Sequence, residues 1–176
     1  MGDVADNLIL WGSKDWPDAG EEWSEWWGDT GAFWYGGILP RVHAFVPTGT
    51  ILEIAPGYGR WTHYLRRLCD QLVVVDLAER CIDHCRQRFA EDHHIDYFVN
   101  DGRSLEMIED NSIDFVFSFD SLVHVEADVL ESYLRQLSSK LKPNGVGFIH
   151  HSNIGRYRMT VRLARSLQQG AMARLV

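Results

Sequence analysis

The sequence predicts an α/β fold, a parallel sheet with helices on both faces, behind an aromatic-rich N-terminal helical segment. Three observations lead there. After residue 50, short apolar runs of strand length alternate with stretches whose apolar residues recur at helical spacing. Polar residues collect just past those runs: Glu53 and a glycine turn, then Asp76, Asn100 with Asp101, Asp120 with Ser121, and His150 with His151. In open parallel sheets ligands bind at the carboxyl ends of the strands, so polar strand ends are what a site there requires. Finally, 176 residues with 45% apolar content suit one domain with a real core.

Taken in order, residues 1–47 form the lead-in, and residues 48–176 a ligand-binding domain. Six of the seven tryptophans lie in the lead-in: Trp11, Trp16, Trp23, Trp26, Trp27 and Trp34, with Phe33 and Tyr35 beside them. Their spacing is irregular up to about residue 21, which reads as loop with short helical pieces. Asp29 or Thr30 is expected to cap a helix running toward Val46, kinked or restarted at Pro40. The rings have two possible uses: packing the lead-in onto the sheet, or covering a pocket as a lid that touches an acceptor.

The domain begins with a strand at 51–54, buried like a central parallel strand. A helix at 58–69 follows, marked by Trp61, Tyr64, Leu65 and Leu68. Then come a strand at 72–75 ending at Asp76, a helix at 79–89, a strand at 95–99 and a strand at 113–119. A helix at 127–141 is closed by the turn Lys142-Pro143-Asn144-Gly145, before a strand at 146–150 and a last helix at 158–168.

Composition excludes several classes. No apolar run approaches the roughly 20 residues that span a bilayer, so no membrane partner is expected. The N-terminus lacks the basic and apolar regions of a signal peptide. Three cysteines do not suggest a disulfide framework, and a reducing, cytoplasmic location is expected. A net charge of −8 argues against nucleic acid as partner. The charge is uneven: after Glu131 no Asp or Glu follows, while Arg135, Lys140, Lys142, Arg156, Arg158, Arg162, Arg165 and Arg174 do. That basic quarter is either a solvated helical face or a contact for an anionic substrate or partner subunit.

The most informative stretch is 51–61, ILEIAPGYGRW. Strand, glycine turn and helix together bring a ligand's polar groups onto backbone N–H groups. A dinucleotide fingerprint would want a third glycine where Thr62 stands, which disfavours a nicotinamide-dependent oxidoreductase, and no Walker ending is present. Instead, small residues follow an acid at every second position: Glu53, Ala55, Gly57, Gly59. This pattern resembles motif I of the class I S-adenosylmethionine-dependent methyltransferases, with Ala55 adding one methyl group to the usual glycine. The resemblance runs from about residue 49 to 152. It implies a Rossmann-like sheet and a cofactor site built from Glu53, Ala55, Pro56, Gly57, Tyr58 and Gly59. Asp76, next to Leu77, would accept from the ribose hydroxyls. Asp101, beside Asn100, would accept from the adenine amine; Gly102 and Arg103 would line the adenine slot through their backbone, and the Phe119 carbonyl would face the methionine amino group, with Asp120 and Ser121 beyond it. Family sheets usually have seven strands and end in an antiparallel hairpin. That hairpin is expected to be missing here, which would leave an edge open to pairing and suit a homo-oligomer.

The same resemblance implies methyl transfer to a small-molecule acceptor. The longer string of aromatic lead-in, LEIAPGYGRWT, FSFDSLVHVE and paired histidines is similar to bacterial enzymes acting on sugars and secondary metabolites, so an oxygen acceptor is expected. His124, one turn past Asp120, is the candidate base, because an imidazole titrates near neutral pH. One of His150 and His151 should also face the pocket. A divalent ion on Asp120, His124 and His151 is the metal variant, but that spacing is no recognised ligand signature and no metal is expected. The competing expectation is a cofactor-binding, inactive subunit that needs a partner.

Overall fold

The computed structural model describes residues 3–153. The expected helix at 158–168, the arginines Arg156, Arg158, Arg162, Arg165 and Arg174, and the question of a terminal hairpin lie outside the described residues.

The lead-in opens with a ten-residue helix where loop with short helical pieces is expected: α1, Val4–Ser13, is capped by Asp3, whose carboxylate accepts from the Asp6 N–H at 2.8 Å. Sequence spacing hides it because its inward stripe is Val4, Asn7 and Trp11, with a polar residue at the centre. A 3₁₀ segment, Glu21–Trp27, follows. α2, Thr30–Phe33, is capped by Asp29, which accepts from the Ala32 N–H at 2.6 Å. A π-turn, Trp34–Ile38, links α2 to α3, Leu39–Val42. There the Leu39 N–H reaches back to the Trp34 carbonyl. Pro40 supplies no N–H of its own, and the widened turn is where the chain absorbs it.

The sheet strands are β1, Thr48–Ile54; β2, Cys69–Asp76; β3, Ile95–Val99; β4, Ile113–Ser118; and β5, Leu141–Ile149. The helices between them are α4, Thr62–Leu65; α5, Glu79–Arg88; and α6, Ala127–Lys140. All pairings are parallel, in the order β3-β2-β1-β4-β5. The order reverses between β1 and β4, so the ligand-binding crevice belongs at their carboxyl ends.

Two expectations need correction. The helix drawn over 58–69 is a single turn, α4. Residues 57–61 form consecutive tight turns, with Gly57 and Gly59 at φ 59° and 85°, which an α-helix does not admit. The turn at 142–145 is a bulge inside β5. Leu141 pairs with Ile113 and Val146 with Phe115, while Asn144 takes φ 70°.

Alternate strand residues feed two cores. On one face, Ile51, Leu72, Val74, Phe115 and Phe117 meet α5 and the lead-in residues Trp34, Ile38 and Val42. On the other, Leu52, Ile54, Val73, Val75 and Val116 meet Val129, Tyr133 and Leu137 of α6. Helices therefore cover both faces, and the polar strand ends gather at one rim. No helix among the described residues is long and apolar enough to cross a membrane.

Candidate functional site

A cavity opens at the carboxyl ends of β1, β2 and β4. Its floor is the glycine turn: Ala55, Pro56, Gly57 and Tyr58 all line it. Ala55 sits at φ 59°, a left-handed conformation that costs a non-glycine residue roughly 1 kcal/mol. The extra methyl group is thus less innocent than its size suggests. Gly57 leaves no room for a side chain, since a Cβ there would come within 3.0 Å of the Trp16 ring. Gly59 has a different reason to be glycine: a Cβ would strike Phe89 at 2.6 Å, so it serves α5 packing and lies outside the cavity lining.

Asp76 ends β2 and is 7% exposed. Its carboxylate accepts from the Ala78 N–H at 2.8 Å and from the Gly57 N–H at 3.2 Å. Burial raises its pKa to about 6, against the lowering effect of those N–H groups. Leu77 and Gly102 line the cavity beside it, with Val4 of α1 against Gly102. Asn100 and Asp101 lie behind that wall and shape it. Asn100 accepts from the Gly102 N–H and donates to the Tyr133 hydroxyl at 3.0 Å. Asp101 is exposed and accepts from the N–H groups of Arg103 and Ser104, while Arg103 pairs with Asp128.

Glu53 is buried below the turn rather than in the cavity lining. It shares the sheet face of Ile51, and Thr62 Oγ1 donates to its Oε2 at 2.6 Å, while Oε1 has no hydrogen-bond partner. Burial raises its pKa to about 8, with the Thr62 hydroxyl opposing, so it is a neutral acid near neutral pH.

Phe119, Asp120 and Ser121 form the wall beyond β4. Ser121 Oγ donates to the Ala55 carbonyl at 2.7 Å, tying this wall to the floor. Asp120, at φ 64°, is held from both sides. Arg60 donates to its Oδ2 at 2.7 Å, and His150 Nδ1 lies 3.1 Å from its Oδ1. His150 also stacks on Phe119, whereas His151 is exposed and turned to the Ser152 carbonyl. His124 lines the cavity with its ring 5.0 Å from Trp11, and burial lowers its pKa. Asp120, His124 and His151 are not brought together: among the described residues no three His, Cys, Asp or Glu side chains are grouped to hold a metal ion.

Sequence reasoning missed Arg60, which is 6% exposed, lies over the Trp61 ring at 4.4 Å and donates to Ser24 and Asp120. The available signal was a cation directly after a glycine turn. It missed Asn7 as well, which accepts from Trp11 Nε1 at 3.1 Å and donates to the His124 carbonyl at 3.4 Å. The rings of the lead-in divide into two groups. Phe33 and Trp34 join the sheet core, while Trp11, Trp16 and Trp23 line the cavity.

The sequence profile of a family described as "Methyltransferase domain" matches residues 51–145. Phosphoethanolamine N-methyltransferase 1 of Triticum aestivum is 30% identical over 118 residues, 64% of this chain and 24% of that protein. Nodulation protein S of Sinorhizobium fredii is 29% identical over 56% of this chain and 45% of its own length. The chain thus spans from about a quarter to less than half of the length of these relatives. Among solved structures, the DhpI–SAH complex superposes with a TM-score of 0.62 at 22% identity, covering 82% of this chain and 67% of that one. At this identity the likeness speaks for the fold.

Proposed function

We propose, from the premise that this chain belongs to the methyltransferase-domain family, that it is an S-adenosylmethionine-dependent methyltransferase acting on an oxygen of a small molecule such as a sugar or secondary metabolite. The observation that carries the reading is the cavity floor: a left-handed glycine turn braced by a carboxylate from the end of β2. These residues fit the cofactor by their chemistry. Asp76 offers acceptor oxygens to a diol, and the left-handed glycine turn lines the cavity beside it. The loop after β3 would meet the adenine edge through Gly102, which Asn100 and Asp101 support from behind, and Phe119 to Ser121 would meet the methionine end.

When bound, S-adenosylmethionine supplies an electrophilic methyl group on a sulfonium. The chain's own part is to place the acceptor, exclude water and take a proton. His124 is the base in this reading: its lowered pKa keeps the imidazole neutral at neutral pH, ready to accept from a hydroxyl. Asp120 stays fixed by Arg60 and His150 and favours the resulting imidazolium through its charge, without contact. The lead-in acts as the lid, with Val4 and Trp16 against the cavity walls and Trp11 beside His124.

Calorimetric titration tests the cofactor assignment. S-adenosylhomocysteine should bind and NAD should not, and the reverse outcome overturns it. Turnover of labelled cofactor across an acceptor panel tests the rest, with His124→Ala expected to lose roughly 10²–10⁴-fold in kcat. An unchanged kcat across pH removes His124 from the role.

A further inference from the structure

Three indoles form one wall of the cavity. Trp11 and Trp16 have ring centroids 5.9 Å apart at 39°, and Trp11 and Trp23 6.2 Å apart at 57°. Trp11 is the middle ring, and its other neighbour is His124 at 5.0 Å. A flat ring laid on Trp11 would therefore carry its substituents to the edge of the candidate base. We infer that this wall is the acceptor subsite and that the acceptor is a neutral aromatic ring bearing a hydroxyl group, a phenol. The inference rests on the methyltransferase reading for the fate of that hydroxyl.

The charge and hydrogen-bond inventory of the cavity selects this class. An aromatic wall also suits an ammonium ion. Yet only two carboxylates line the cavity among the described residues, and both are engaged: Asp76 with the Gly57 and Ala78 N–H groups, Asp120 with Arg60 and His150. Arg60 adds a buried cation, and the Lys14 ammonium already lies 5.3 Å from the Trp23 centroid. A cationic acceptor would have to share Asp76 or Asp120 with the groups that already hold them. A sugar could stack on an indole, but its hydroxyls need partners. Beside the wall, Asn7 is committed to Asp3, Trp11 and His124, and Ser121 to the Ala55 carbonyl. An apolar ring with one polar edge leaves the fewest groups unsatisfied.

4-Nitrocatechol in mildly acidic buffer, where its ring is still un-ionised, is a suitable probe, because its absorption then overlaps indole emission and binding can be read as fluorescence quenching without turnover. The full chain should show saturable quenching, with and without S-adenosylhomocysteine. Trp11→Leu and Trp23→Leu should each weaken it about five- to tenfold. Trp11→Phe, which keeps a ring, should recover most of the affinity, and circular dichroism checks that each variant is folded. Choline and methyl glucoside should compete poorly. Absence of saturable quenching, equal affinity in the leucine variants, or stronger competition by choline or the glucoside overturns the inference. If S-adenosylhomocysteine fails to bind while 4-nitrocatechol binds through Trp11, the subsite stands and the methyl-transfer reading falls.

Discussion

Asp76 braces the glycine turn from the neighbouring strand, since the Gly57 and Ala78 N–H groups both point at its carboxylate. It is therefore a structural acceptor before any ligand arrives, and a ribose would share the oxygens that already hold the floor. Asp76→Asn keeps the volume but turns one acceptor into a donor facing an N–H. We expect it to weaken S-adenosylhomocysteine binding by roughly 1–3 kcal/mol, the usual loss for a charge-assisted acceptor. Calorimetry on the folded variant measures this, and an affinity equal to wild type would dismiss the ribose assignment. Asp120 has a comparable double tie, to Arg60 and His150, and it holds a left-handed φ as well. Strain kept in place by two partners is a common mark of a residue whose direction matters.

At the level of elements, the lead-in is where helix caps decide the path of the chain. Asp29 turns the backbone into α2, which delivers Phe33 and Trp34 to the core. Asp29→Ala should lower stability by about 1 kcal/mol, with urea denaturation as the readout and Asp29→Ser restoring most of the loss. This cap was legible in the sequence, because Asp and Thr precede the aromatic run. The bounds of β3, α5 and α6 were legible too, since strong periodicity marks them. α1 was not: Asn7 sits in its inward stripe and interrupts the apolar pattern. The helix after the glycine turn was overdrawn, because Trp61, Tyr64, Leu65 and Leu68 keep helical spacing although two left-handed glycines precede them. Within the site, Ala55 to Tyr58 and Asp76 could be read from local spacing. Arg60 could not be assigned a role, since its partner Asp120 is sixty residues away in sequence and meets it only through the β1–β4 pairing.

Across the whole molecule, the most consequential feature is that its buried acids hold protons the unfolded chain would release. Burial lifts Glu53 from 4.5 to about 8 and Asp76 from 3.8 to about 6. Between those limits the folded state binds more protons than the unfolded state, so stability falls as pH rises, and it levels off once pH passes the folded values. Asp110, Asp114 and Asp128 act in the opposite sense. Their lowered pKa values reflect ion pairs with Lys140, Lys142 and Arg103, with burial opposing the shift at Asp114. Their contribution is lost as pH drops below the ordinary carboxylate range. His63, His84 and His124, whose pKa values burial lowers, likewise cost stability as pH falls. Glu53 alone should lower unfolding free energy by about 2 kcal/mol between pH 6 and pH 8. Glu53→Gln keeps an acceptor for the Thr62 hydroxyl and carries no proton to lose. Thermal or urea unfolding at pH 5, 6, 7 and 8 should slope downward for the wild-type chain and run nearly flat for this variant above pH 6. Parallel slopes would mean that Glu53 is ionised in the folded state, and that the floor of the cavity carries a negative charge rather than a neutral acid.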